Sequence, residues 1–330
     1  MTATTRRRPL LIASGALAVI AVTVAGVMAW RAPGSRPGAH HPVATVGTHV
    51  EAAAIADVPS QDHAIRWSSE TMAAGGLQRA WWLARPDKPL RAELPLALVL
   101  HGRGATPLDE AQRTGLLPQV AAGRLIAAYP EGYAASWDAG TCCGDAYTAH
   151  VDDVTFLSAL LHRLQALPDV LPDEVAVIGF SNGGKMALRL ACSGVLKQSN
   201  PPVRAMAIVA AAAVSPCEAG PHLPVVQVAG TVDPIVPYDR PAATPSPDIP
   251  PVPVVNEFAA WRQLAGCGVD SSATAATPLQ VTEWWCSGGP LELATDLGGG
   301  HGWPTGATDT IWTFLTPLLE PPSNAGRPGG

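Results

Sequence analysis

Charge is scarce in this chain: only 15% of its 330 residues are Asp, Glu, Lys or Arg, and the formal net charge is −6. Apart from Arg6-Arg7-Arg8 there is no run of like charge, so the basic patch that nucleic-acid binding requires is missing and that class is excluded. No Cys-x-x-Cys pair and no His-Glu-x-x-His stretch occurs, which argues against structural or catalytic zinc; no metal ligand is expected. No internal repeat of solenoid length is present either, so the core has to be that of an ordinary globular domain. Hydrophobic residues, at 47%, are numerous enough to fill one.

An apolar run from Pro9 to Trp30 follows the arginines. Such a run is long enough to cross ~30 Å of hydrocarbon as a helix. It also suits a signal peptide cut after Val27-Met28-Ala29, and Arg7-Arg8-Pro9-Leu10-Leu11 is similar to a twin-arginine signal. The length favours an uncleaved membrane anchor, with the arginines left inside. Residues 1–30 are thus read as signal or anchor, 31–62 as a Pro/Gly/Ala-rich linker, 63–320 as the globular domain and 321–330 as a disordered tail. Either reading of the first segment puts the domain outside the cytoplasm or at the cell surface. The six cysteines, Cys142, Cys143, Cys192, Cys217, Cys267 and Cys286, then read as disulfide formers, with Cys267–Cys286 the preferred local pair.

Within the domain, apolar runs bounded by polar loops predict strands at 77–84, 94–100, 125–129, 174–178, 205–210, 225–229, 281–286 and 291–295. Pro95 has no N–H for a ladder and is expected only at a strand's start. Between the strands lie helical patterns. In the clearest, 151–167, Val154, Leu157, Leu160, Leu161, Leu164 and Leu167 share a face, and Asp152 and Asp153 occupy the first turn. The last, around Ile311–Leu315, is expected to end at Pro317. Strands alternating with helices predict a mostly parallel sheet covered on both faces, with any ligand at the carboxyl ends of the strands.

One turn carries the chemistry. Gly179-Phe180-Ser181-Asn182-Gly183 reads G-x-S-x-G, and it stands between a β-branched strand and the helical Gly184–Cys192. Strand, sharp turn, helix is the context of a nucleophile elbow. A serine hydroxyl needs a base to remove its proton, and the base needs an acid to hold its tautomer. Only two histidines follow Ser181. His222 lies between Pro221 and Leu223 ahead of a strand, whereas His301 sits in the glycine-rich loop Gly298–Pro304. His301 is therefore the candidate base. Asp233, in a turn after the strand 225–229, is the candidate acid, with Asp296 the weaker alternative because it is so near His301 in sequence. The oxyanion hole is assigned to the backbone N–H groups of Asn182 and Arg103, the latter in His101-Gly102-Arg103-Gly104 after the strand 94–100. His101 precedes the serine and is expected to shape this loop. Trp303 and Trp137 are candidates for substrate contact.

These motifs, together with Tyr129-Pro130-Glu131-Gly132, Trp137 with Cys142-Cys143-Gly144, Val151-Asp152-Asp153-Val154 and Gly230–Tyr238, resemble the secreted polyhydroxybutyrate depolymerase and feruloyl esterase family of α/β-hydrolases. The resemblance spans roughly residues 75–318. It implies the α/β-hydrolase fold, a triad of Ser181, Asp233 and His301, no metal and no cofactor. The implied substrates are esters of hydroxyacid polymers or of aromatic acids on polysaccharides. Many members have a cysteine in the loop where this chain has Arg103, a cation expected to favour an anionic or phenolic substrate edge. A non-catalytic extracellular binding protein that keeps the fold is the alternative class, but a binding protein has no need of the Ser, Asp, His order.

Overall fold

The computed structural model of the protein describes residues 64–214, 222–241, 250, 252–268, 271–274 and 278–319. The expected signal or anchor, the linker and the C-terminal tail lie outside the described residues, as does Cys217. Among the described residues no helix is long and apolar enough to cross a membrane.

The chain opens with a hairpin, β1 (Ile65–Ala74) and β2 (Leu77–Pro86), and continues through β3 (Leu94–Leu100), α1 (Pro107–Thr114), α2 (Leu117–Ala121) and β4 (Ile126–Pro130). Next come α3 (Gly144–Thr148), α4 (Asp153–Gln165), β5 (Val170–Phe180), α5 (Asn182–Cys192), α6 (Val195–Gln198), β6 (Ala205–Val209) and β7 (Val225–Gly230). The last elements are α7 (Val254–Leu264), β8 (Ser271–Thr274), β9 (Gln280–Cys286), β10 (Gly289–Asp296) and α8 (Ala307–Leu319). All ten strands form one sheet in the order β1-β2-β4-β3-β5-β6-β7-β10-β9-β8. Its middle, from β4 to β10, is parallel, and antiparallel strands flank it at both edges.

The uninterrupted apolar strands arise because both faces are buried. Along β3, Leu96, Leu98 and Leu100 join the core under α4 and α5, while Ala97 and Val99 join the one under α1 and α8. β5 divides in the same way, Val175 and Val177 to one side, Ala176, Ile178 and Phe180 to the other. With period 2 and two dry faces, no polar position is left to alternate. Pro95 falls where the β3–β5 register shifts, between Leu94 and Leu96, so its missing N–H interrupts no regular rung.

Two expectations need correction. The final helix does not stop at Pro317 but runs on to Leu319. A proline removes one backbone hydrogen bond, which is tolerable in a last turn whose Leu315 and Leu319 are buried. Asp153 is also more than a favourable first-turn charge. Asp152 is the N-cap, accepting from the Thr155 N–H at 3.0 Å, while Asp153 turns inward and is fully buried. There it accepts from Arg79 Nη2 at 2.7 Å and from the Asp138 N–H at 2.8 Å. Arg79, also buried, stacks on Phe156 at 4.1 Å and donates to the Glu131 carbonyl at 3.1 Å.

Cys267 and Cys286 are bridged, tying the chain after α7 to the end of β9. A second bridge joins the neighbours Cys142 and Cys143, and Cys192 is disulfide-bonded as well.

Removing Asp153 strands the Arg79 cation in the core. Asp153→Ala is expected to cost about 3–5 kcal/mol in urea unfolding; a loss below 1 kcal/mol would contradict that. Glu257 on α7 makes a second test. It is buried, its Oε1 accepts from the Ala213 N–H at 2.9 Å, and its Oε2 has no hydrogen-bond partner. Burial raises its pKa from 4.5 to about 8. A raised folded-state pKa means stability that is complete below the unfolded value and lost as pH climbs toward the folded one. Glu257→Gln should therefore gain on wild type by about 1.4 kcal/mol per pH unit across most of that window. Melting curves with a constant gap between pH 5 and 8 would refute it.

Candidate active site

The strand order reverses at β3, which lies between β4 and β5. The chain leaves β3 toward one side for β4 and returns to the other for β5, so a crevice opens at the carboxyl ends of β3 and β5. The loop after β3 and the turn after β5 meet there.

Ser181 ends that second turn with φ 51° and ψ −116°, a left-handed conformation that costs on the order of 1–3 kcal/mol and persists only where its surroundings hold it. Its N–H donates to the Val209 carbonyl at 2.9 Å, and its C=O accepts from the Lys185 N–H at 2.9 Å. Close backbone approach dictates the glycines. A Cβ on Gly179 would sit 2.5 Å from the Gly183 carbonyl oxygen, and one on Gly102 would sit 2.8 Å from Phe180 Cδ1. α5 starts at Asn182, so its free N–H end and positive dipole face the serine.

Ser181 Oγ lies 2.8 Å from His301 Nε2, and His301 Nδ1 lies 2.8 Å from Asp233 Oδ2. A carboxylate only accepts, so the imidazole proton is on Nδ1 and Nε2 is left to accept from the serine hydroxyl. Asp233 is buried, and its Oδ1 accepts from the Ile235 and Val236 N–H groups at 2.7 and 2.8 Å, which fixes the carboxylate plane. The His301 loop is tied to the Asp233 loop by Val232 N–H to the Gly299 carbonyl at 3.0 Å and Gly298 N–H to Thr231 Oγ1 at 2.8 Å. Three residues far apart in sequence are thus joined in one hydrogen-bonded chain. Asp296 does not take part with its side chain. Its carbonyl accepts from the Thr231 and Gly299 N–H groups and so braces the two loops. His222 lies in a different depression, with Ala191, Leu196 and Leu223.

His101 is buried and neutral. Its Nε2 accepts from the Gly132 N–H at 2.9 Å and its Nδ1 donates to the Gly102 carbonyl at 2.8 Å, and burial lowers its pKa to about 4. It shapes the loop that carries the Arg103 N–H. Trp137 is corrected from a substrate contact to a structural post. It has no exposed surface, its indole N–H donates to the His101 carbonyl at 3.0 Å, and its ring packs on the His101 ring at 5.0 Å. The Asn182 side chain holds the same residue from the other side, accepting from the Trp137 N–H at 2.8 Å and donating to its carbonyl at 2.9 Å. The sequence offered no signal for this clamp beyond the presence of an amide after the serine.

Trp303 remains at the surface of the site. With Arg103, Gly104, Gln112 and Arg113 it lines a cleft of ≈ 630 Å³. Phe180, the residue before the serine, packs its ring 5.6 Å from the His301 ring and 6.3 Å from Trp303. Sequence reasoning quoted Phe180 only as part of the G-x-S-x-G pattern and made no reading of Arg113.

No family model matches the chain. Among curated proteins it is 33% identical over 262 residues to "Putative esterase NocK" of Nocardia uniformis subsp. tsuyamanensis, covering 72% of this chain and 74% of that one. It is 24% identical over 252 residues to "Probable feruloyl esterase C" of Aspergillus niger, covering 72% and 83%. A solved dienelactone hydrolase-like promiscuous phosphotriesterase from metagenomic libraries matches the fold with a TM-score of 0.51 at 15% identity, over 77% of this chain and 99% of that one. The central sheet, the elbow at the switch point and the relatives agree: the chain belongs to the polyhydroxybutyrate depolymerase and feruloyl esterase family of α/β-hydrolases and is a carboxylic ester hydrolase.

Proposed function

We propose that this protein is an exported serine esterase that works through Ser181, His301 and Asp233. Ser181 attacks the ester carbonyl while His301 takes its proton. The Asn182 and Arg103 N–H groups hold the oxyanion. His301 then protonates the departing alcohol, and a water activated by the same imidazole releases the acid. Asp233 orients His301 and stabilises the imidazolium. The observation that carries this reading is the unbroken chain of 2.8 Å contacts from Ser181 through His301 to Asp233. The strained serine and the buried, doubly fixed carboxylate support it. Each is unfavourable for folding alone and useful for chemistry.

The substrates are esters of hydroxyacids or of aromatic acids carried on polysaccharides, polymeric ones included. Export follows from the apolar segment 9–30 behind three arginines, read as signal or anchor. The site needs no metal in this mechanism.

With p-nitrophenyl butyrate, Ser181→Ala is expected to lower kcat by on the order of 10⁶, as for other triads. Asp233→Asn should lower it by about 10⁴, because the amide favours the wrong imidazole tautomer. Wild-type protein without activity on any member of an ester panel, or activity unchanged in Ser181→Ala, would favour a binding role instead.

A further inference from the structure

One aromatic ring separates the His301 imidazole from a fixed cation. The guanidinium of Arg113 stacks on the Phe180 ring at 4.6 Å, and the same ring packs 5.6 Å from the His301 ring. The stack is tethered. Arg113 Nε donates at 3.3 Å to Oε2 of Glu110, one helical turn earlier on α1 and fully buried. That bond uses only Nε. Among the described residues the two Nη groups make no hydrogen bond, and the side chain is 34% exposed. A guanidinium presents paired donors in a rigid plane, and here that plane is set before any ligand arrives.

The surrounding cleft has matching character. Arg103 lines it as a second cation, Gln112 adds an amide and Trp303 an aromatic wall. The one acid in the lining, Asp109, is committed to capping α1. Its Oδ2 accepts from the Thr106 N–H at 2.8 Å and from Thr106 Oγ1 at 2.7 Å, and these bonds hold its pKa below the usual carboxylate range.

The triad decides which part of an ester lies here. His301 returns its proton to the departing alcohol, so the alcohol oxygen must reach Nε2 and its substituent must extend past the imidazole. The buried Phe180 ring packs beside the imidazole, and Trp303, which packs on Phe180, lines the cleft. We infer that this cleft receives the alcohol part of the ester and that this alcohol carries a carboxylate, bound by Arg113 with Arg103 beside it. The inference rests on the esterase reading and narrows its substrate class to esters whose leaving group is itself an anion.

The test compares two acetate esters with similar phenolic leaving groups, 4-acetoxybenzoate and the neutral 4-acetoxybenzamide. For wild type, kcat/KM should favour the carboxylate by about tenfold, the usual scale of a charge-assisted contact. Arg113→Met should bring the ratio to near one, and Arg113→Lys should restore part of it. Because Arg113→Met leaves Glu110 without its partner, a second measurement uses wild type alone: 4-hydroxybenzoate should inhibit amide-ester turnover several-fold more strongly than 4-hydroxybenzamide, with the gap shrinking as salt is added. Equal ratios in wild type, or a preference that survives Arg113→Met, would overturn the inference. So would a preference for the mono-4-nitrophenyl ester of glutaric acid over 4-nitrophenyl valerate with none between the acetoxy pair, since that puts the anion on the acyl side. If both acetoxy esters are cleaved equally and Ser181→Ala abolishes cleavage, only the anion assignment fails. If wild type cleaves no ester, the esterase reading fails with it.

Discussion

Three loops that the chain makes separately are held together by one buried side chain and one buried ring. The Asn182 amide exchanges two hydrogen bonds with the backbone of Trp137, and the Trp137 indole donates to the His101 carbonyl. The loops after β3, β4 and β5 thereby become a single body. Each of these bonds is buried, so breaking one leaves a polar group without water to replace its partner. That asymmetry fixes the distance between the serine turn and the Arg103 loop. The oxyanion hole proposed above depends on this, because its two donors come from different strands and are useful only at a set separation.

The sheet beneath supplies the stiffness. With both faces dry, its parallel strands cannot slip by one residue without exchanging the two cores, and a slip of two would open cavities in both. The carboxyl ends of β3, β5, β7 and β10 are therefore reliable mounting points, and the loops from these four strands carry Arg103, Ser181, Asp233 and His301. The strained Ser181 backbone is sustained by this frame, with Val209 and Lys185 bonding it on either side.

Two histidines of the site show how environment assigns roles to the same side chain. His101 is enclosed, has both ring nitrogens bonded to backbone groups and is held neutral by burial. It can neither gain a proton readily nor reach a ligand, and it serves as a rigid spacer. His301 instead has both ring nitrogens on side chains, Nε2 on the serine hydroxyl and Nδ1 on the Asp233 carboxylate. Glu110 offers a further contrast: a buried carboxyl whose pKa is raised to about 7 by burial and whose partner, Arg113, reaches the surface.

Much of this was legible in sequence order. The G-x-S-x-G turn between a β-branched run and a helix, the single well-placed histidine after it and an aspartate after the next strand but one all depend on local pattern and chain order, which a linear sequence carries directly. The alternation of apolar strands with helical patterns gave the mostly parallel sheet for the same reason. What the sequence could not carry were contacts between residues far apart in the chain whose types have many uses. Trp137 reads equally as pocket wall or core until its burial is known; Asp153 reads as a helix-end charge until Arg79, 74 residues earlier, is found against it. Arg113 joins the site only because the fold brings α1 beside the elbow and sets its guanidinium on the Phe180 ring. Local chemistry and order were set by the sequence, whereas which face a side chain buries and which partner it meets were decided by packing, since that depends on every element at once.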